Sequence, residues 1–213
     1  MTTHKQQEAI EYSTFDSPIG VILTGASSRG VCLLHIGGSS PPGGEEEYTV
    51  LKSFFPKFAM VAASGNDLLA RVREGILRYL DDSHPLPPLP LDIASGTGFQ
   101  QAVWTALCEI PFGQTRTYSD VAGAIGRPKA SRAVGSACGR NPLAILVPCH
   151  RVVGSGGNLG GYTGGLHIKK RLLEIEGAKP FRHNPDRMLV GGSRQALPVG
   201  SRRETYCRRT CVR

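Results

Sequence analysis

The sequence contains no apolar run near the ~18 residues that would cross a bilayer, which argues against a membrane span. Its opening stretch, MTTHKQQEAIEYSTF, lacks the apolar centre of a secretory leader, so a cytoplasmic setting is expected. Cysteine is sparse and irregular. Cys32, Cys108, Cys138, Cys149, Cys207 and Cys211 show no disulfide-framework spacing, which points to free thiols in a reducing compartment. Zinc-ligand spacing is missing too. Cys32 and His35 sit an odd number of residues apart on an expected strand, hence on opposite faces, and Cys207 and Cys211 have no nearby histidine, so no metal is expected. The glycine-rich stretches at 154–157 and 160–165 lack the Lys-Ser/Thr ending of a P-loop, which argues against nucleotide hydrolysis.

What is present is an ordinary globular composition, 213 residues with 40% hydrophobic and 20% charged side chains. The net charge of +8 is unevenly spread. Residues 1–97 carry 7 basic and 11 acidic side chains, residues 98–177 carry 9 and 4, and residues 178–213 carry 9 and 2. The contrast between an acidic first half and a basic middle suggests a polyanionic partner. For the basic tail, disorder is the favoured expectation, with added phosphate affinity as the alternative.

Two strands are expected at 21–23 and 31–36, around a turn over 25–30, with a loop at 39–44. Leu68, Leu69, Val72, Ile76, Leu77 and Leu80 recur at helical spacing. PLPPLP at 85–90 reads as a stiff linker and a domain boundary. Beyond it, Thr97 and Gln100 form a capping-box pattern that opens a helix bearing Phe99, Val103, Ala106, Leu107 and Ile110, ended by Pro111. A short helix over 118–125, capped by Ser119, and a small-residue helix over 130–140 flank Gly126-Arg-Pro128. An ordinary helical hairpin and a helix-turn-helix both fit this pair, and slim side chains on the second helix suit close approach to a DNA groove. A last helix runs from 166 to 176, with Gly177 as its C-cap.

The chemistry centres on VPCHRVV at 147–153, where Cys149 and His150 are adjacent. Adjacent residues converge poorly on one metal ion, and an inert buried thiol accounts for neither the histidine nor Arg151. A third reading makes the cysteine a nucleophile. His150 would take its proton and hold the sulfur ionised at neutral pH, with a carboxylate steadying the imidazole. Glu176 is a candidate for that carboxylate. It lies on the inward face of the last helix with Leu172 and Leu173, at the negative end of the macrodipole, so either it is a frayed solvated end or a buried donor holds it.

Residues 96–177 closely resemble the O6-alkylguanine-DNA alkyltransferases (methylated-DNA–protein-cysteine methyltransferases). The matching stretches are GTGFQQAVWTAL, IPFGQTRTYSDVA, SRAVGSACGRNPLAILVPCHRVV and GNLGGYTGGLHIKKRLLEIEG. A looser match covers FDSPIGVILTG and GVCLLHIGG. The resemblance implies an α/β protein: a small ribonuclease-H-like α/β domain over 1–92, a mostly helical winged-helix-like domain with a helix-turn-helix over 93–178, and the tail over 179–213.

For individual residues, the resemblance makes Cys149 the acceptor of an alkyl group from guanine O6. His150, through a water, and Glu176 activate it. Asn141 becomes a hinge bonding backbone, and Tyr118 a group that helps rotate the nucleotide out and donates to the guanine ring. Arg132 becomes the side chain that replaces the extruded base, with Ser131, Ala133, Arg140 and Arg151 on the DNA face. Val152, Tyr162, Thr163 and Gly164 line the pocket, and Lys169 stands behind it. The implied partner is double-stranded DNA containing alkylated guanine, read by a monomer without a cofactor. The alternatives are a non-catalytic binder of alkylguanine DNA and a cysteine hydrolase unrelated to DNA.

Overall fold

The computed structural model describes residues 8–37 and 45–178. The expected loop at 39–44 and the tail with Cys207 and Cys211 lie outside the described residues.

Four strands build the first layer: β1 (Ala9–Phe15), β2 (Ile22–Ser27), β3 (Gly30–Ile36) and β4 (Ala59–Ala62), in the order β3-β2-β1-β4. β1–β2 and β2–β3 pair antiparallel, and β4 joins β1 in parallel. Alternating side chains feed two cores, as the pleat requires. Ile10, Leu23 and Leu33 pack with Leu51 of helix α1 (Glu45–Phe54) and with Phe55 just past its end. Phe15, Ile22 and Leu34 pack with Val72, Ile76 and Tyr79 of helix α2 (Asp67–Asp82).

The expected turn over 25–30 is tighter than anticipated. Gly25 and Ala26 continue β2, and the register shifts between them, so that Gly25 faces Leu33 and Ala26 faces Val31. A bulge of this kind absorbs an extra residue without ending the strand. β1, α1 and β4 were not anticipated. β1 carries Glu11, Ser13 and Thr14 among its apolar residues, and α1 opens on three glutamates, so neither shows a clean period. The 68–80 helix is present as the middle of α2, with Asn66 accepting Leu69 N at 3.1 Å as its cap.

The PLPPLP stretch packs against the first layer. Leu89 and Leu91 are buried, Val31 N donates to Pro90 O at 2.8 Å, and Asp92 N donates to Val31 O at 2.8 Å. A second segment continues along the same edge: Leu34 N donates to Pro142 O at 2.8 Å and Ala144 N to Leu34 O at 3.0 Å. The open edge of β3 is thereby covered, and the chain is delivered from that edge towards Cys149.

The remaining elements are α3 (Gly98–Cys108), β5 (Arg116–Thr117), α4 (Tyr118–Ala124), α5 (Ser131–Gly139), a single 3-10 turn at Cys149–Arg151, β6 (Val152–Val153) and α6 (Leu166–Ile175). α3 has the full Thr97–Gln100 capping box. α4 is capped by Thr117 rather than Ser119. Thr117 Oγ1 accepts Asp120 N at 3.1 Å, and Asp120 Oδ2 in turn accepts Thr117 N at 2.8 Å. Ser119 instead reaches Ser131 Oγ at 3.2 Å, tying α4 to α5. Trp104 donates to Ala137 O at 2.9 Å and locks α5 onto α3. A continuous core joins Phe15 at one end of the chain to Leu172 at the other and includes Cys149.

Candidate active site

The segment from Asn141 to Cys149 places the sulfur. Asn141 Oδ1 accepts Leu143 N at 3.0 Å, while its Nδ2 donates to Val147 O at 2.8 Å and to Cys149 Sγ at 3.2 Å. Two very tight turns lie within this span. Leu146 N closes onto Ala144 O at 2.8 Å around Ile145, whose φ of 67° is a costly conformation for a β-branched residue, about 1–3 kcal/mol. Cys149 N closes onto Val147 O at 2.8 Å around Pro148. Asn141 thus staples this backbone and also contacts the thiol directly.

Behind the sulfur lies a buried ionic cluster. His150 is fully buried, and its Nε2 lies 2.8 Å from Glu176 Oε1. Glu176 caps the C-terminus of α6 and is no frayed end. Its carboxylate also accepts Tyr79 Oη at 2.7 Å, Gly113 N at 3.1 Å, and Arg151 through Nε at 2.9 Å and Nη2 at 2.9 Å. Burial pushes the carboxyl upward, but the hydrogen bond from His150 and the bonds and charge of Arg151 outweigh it and hold it down at about 2. An ionised carboxylate only accepts, so His150 Nε2 carries the proton. Its Nδ1 is buried and has no protein partner among the described residues.

The expectation of a sulfur ionised at neutral pH is corrected here. Burial pushes the Cys149 thiol up, against smaller downward pulls from the Asn141 hydrogen bond and the Lys169 charge, and burial pushes His150 down. Low-dielectric surroundings favour the uncharged form of both groups, so thiol and imidazole rest as a neutral pair.

In front of the sulfur is a cavity of about 380 Å³, lined by Tyr118, Gly135, Cys138, Gly139, Cys149, Gly161, Tyr162 and Thr163. That volume lies within the ~300–1,000 Å³ range of small-ligand pockets. Of the expected lining, Tyr162 and Thr163 face the cavity, and Thr163 Oγ1 donates to Gly139 O at 3.1 Å across its rim. Val152, Gly164 and Lys169 stand behind the wall. Val152 is fully buried, and a side-chain carbon at Gly164 would meet the Tyr162 ring at 3.2 Å. The buried Lys169 ammonium donates to Val152 O at 2.5 Å, to Leu159 O, and to Gly161 O at 3.4 Å, which fixes the glycine-rich wall.

On α5, Ser131, Arg132 and Ala133 occupy the first turn, with Arg132 and Ala133 exposed, and Arg140 is exposed just past the last. Helical spacing puts Arg132 on one stripe with Gly135 and Gly139, so its side chain stands over the same face that borders the cavity. Arg151 does not belong to that surface. Its guanidinium is spent on Glu176 and on Ile110 O at 2.6 Å, and its side chain is only 12% exposed.

Sequence reasoning missed Tyr79, Gly113, Cys138 and the Gly135/Gly139 wall. Gly135, Cys138 and Gly139 follow i, i+3, i+4 spacing, a legible signal for one helix face. Tyr79 stood on the buried stripe of α2, and a buried phenol needs a partner; the sequence alone did not say which. Among the described residues no group of three or more His, Cys, Asp or Glu is placed to hold a metal. No helix there is long and apolar enough to cross a membrane.

An α/β framework with a buried His150–Glu176 pair, an adjacent cavity-lining cysteine and two short packed helices defines the class. Residues 98–178 match the family model described as the DNA-binding domain of 6-O-methylguanine DNA methyltransferase. A methylated-DNA–protein-cysteine methyltransferase of Methanosarcina acetivorans is 42% identical over 167 residues, 78% of this chain and 98% of that one. An inducible protein of the same name from Bacillus subtilis is 44% identical over 68% of this chain and 78% of its own length. A crystal structure of Mycobacterium tuberculosis OGT in complex with DNA aligns with a TM-score of 0.65 and 36% identity, covering 78% of this chain and 92% of that one. The chain belongs to the methylated-DNA–protein-cysteine methyltransferase family.

Proposed function

We propose that this protein repairs DNA by moving an alkyl group from guanine O6 to its own Cys149, once per molecule. The observation that carries the reading is the thiol at the floor of a base-sized cavity, backed by His150 and Glu176 and bonded by Asn141.

A guanine within a duplex hides O6 from in-line attack, so the nucleotide must rotate out, at a cost of a few kcal/mol. Arg132, exposed on the α5 stripe that borders the cavity, would fill the gap in the base stack, and the exposed Arg140 would add a phosphate contact. With the base seated between Tyr118 and the 161–163 wall, the sulfur attacks the alkyl carbon and the C–O6 bond breaks. The thiol proton passes to His150 Nδ1, directly or through a water, and the new imidazolium is held by Glu176. The departing guanine takes a proton from the Tyr118 hydroxyl, which recovers one from solvent, while His150 returns the thiol proton to solvent, so the base is released neutral and no net proton is gained or lost. Because thiol and imidazole rest neutral, the thiolate forms as displacement proceeds and is not stored. Excluding water keeps an unreacted thiol from wasteful chemistry until a base arrives. The thioether is stable because a thiolate is a poor leaving group from an unactivated alkyl carbon, so the alkyl group stays on Cys149.

The finer architecture we infer is a ribonuclease-H-like unit ending near residue 92 and a winged-helix-like unit over 93–178, acting as a cytoplasmic monomer on alkylated duplex DNA. A non-catalytic damage binder would have no use for the thiol and its relay.

The test is intact-protein mass spectrometry after incubation with duplex bearing O6-methylguanine. One increment of about 14 Da per molecule, a CH2 for the reaction class, should map to the Cys149 peptide and vanish in Cys149→Ala. Label on Cys138, or repeated turnover, would overturn the proposal.

A further inference from the structure

The relay carboxylate takes one of its hydrogen bonds from the half of the chain that holds no other part of the site. Tyr79, on α2, donates to Glu176 Oε1 at 2.7 Å, the same oxygen that lies 2.8 Å from His150 Nε2. The phenol is 1% exposed. Its ring meets Phe112 edge-on, at 6.2 Å between centroids and 89° between planes, and the Arg151 guanidinium lies over the face of Phe112 at 5.8 Å. Gly113, at φ 74°, comes so close that a side-chain carbon there would sit 2.8 Å from Glu176 O. α2, the 111–113 turn and the end of α6 therefore converge on one carboxylate.

We propose that Tyr79 is a positioning residue for alkyl transfer, setting how strongly Glu176 draws on the His150 proton. By occupying a lone pair of Oε1, the phenol reduces the basicity of the oxygen that faces the imidazole. The Nε2 proton stays on the ring, and Nδ1 keeps the lone pair that receives the thiol proton. Were the phenol only a buried polar group in need of an acceptor, the imidazole would not notice its loss. The other titratable groups facing the relay are Arg151 and Cys149 on the 3-10 turn, Lys169 on α6, and Tyr162 on the glycine-rich wall. Tyr79→Phe leaves all four in place and keeps the ring against Phe112.

The inference rests on the alkyl-transfer reading, so it is tested by two readouts on the full chain. The first is an NMR pH titration of the His150 imidazole, which needs no catalysis. The second is the single-turnover methyl-transfer rate on alkylated duplex as a function of pH. Without the phenol, Glu176 becomes more basic and stabilises the imidazolium. The His150 titration and the acid limb of the rate profile should both move up by about 0.5–1 pH unit, a ~3–10-fold slower reaction on that limb. Site-specific 3-fluorotyrosine at position 79, which keeps the ring and makes a stronger donor, should move both downward. This second variant also serves if Tyr79→Phe does not fold. Unchanged titrations accompanied only by a lower melting temperature, or shifts of the same sign in both variants, overturn the proposal. A wild-type protein that transfers no alkyl group would refute the reaction and leave the titration test of Tyr79 standing.

Discussion

Removing the charge from Glu176 separates what its cluster does for stability from what it does for chemistry. In Glu176→Gln the Arg151 guanidinium, largely buried and bonded twice to that carboxylate, loses its counter-charge. Breaking one side of a buried ion pair costs about 3–5 kcal/mol, a large share of the ~5–15 kcal/mol that holds a typical domain folded. Arg151→Met should cost somewhat less, about 2–4 kcal/mol, because Tyr79, His150 and Gly113 still donate to the orphaned carboxylate. The double variant removes both charges and should be destabilised by less than the two single losses together, with a coupling of about 2 kcal/mol or more. Urea denaturation of the four proteins at pH 7 reads these values. Alkyl transfer should not recover with stability, because the imidazole still lacks its carboxylate. Additive losses, or a double variant that regains full transfer, would refute the account of the cluster.

Three further outcomes follow from the same geometry. Arg132→Ala should slow repair of duplex DNA far more than reaction with free O6-benzylguanine, and equal losses in the two single-turnover assays would make Arg132 structural. Thr117→Ala should cost about 0.5–2 kcal/mol in chemical denaturation while Ser119→Ala costs a few tenths, since the former caps α4; the reverse order would contradict the capping. Acid should destabilise the fold through Glu176. With a folded pKa of about 2 against the ordinary 4.5, its contribution is fully present above about pH 4.5 and lost as pH falls towards 2, about 3 kcal/mol in all. His150, held below 6.5, adds a loss in the same direction starting near that pH. Urea midpoints measured down the pH scale should therefore fall in two stages, and Glu176→Gln should flatten the lower one.

Some of this is readable in the sequence. The Thr97–Gln100 cap, the α2 stripe and the Pro148-Cys-His-Arg151 run depend on a few residues close together, so spacing alone carries them. Ser119 was a reasonable cap candidate that lost to Thr117, two residues earlier, because Asp120 completes the reciprocal bond only from there. β1 and α1 escaped notice because the partner surfaces that bury their few apolar residues come from elsewhere in the chain.

By itself the sequence determined that Cys149 and His150 are adjacent, that Glu176 shares the inward face of its helix, and that the helix over 130–140 is built of small residues, because short-range order and periodicity specify them. Only the tertiary structure decided that Arg151 turns inward instead of towards DNA, that Tyr79 reaches across 97 positions to Glu176, and that the thiol is stored uncharged. The physical reason is common to all three. Burial sets the price of a charge, and burial arises from contacts between segments whose separation along the chain leaves no local trace.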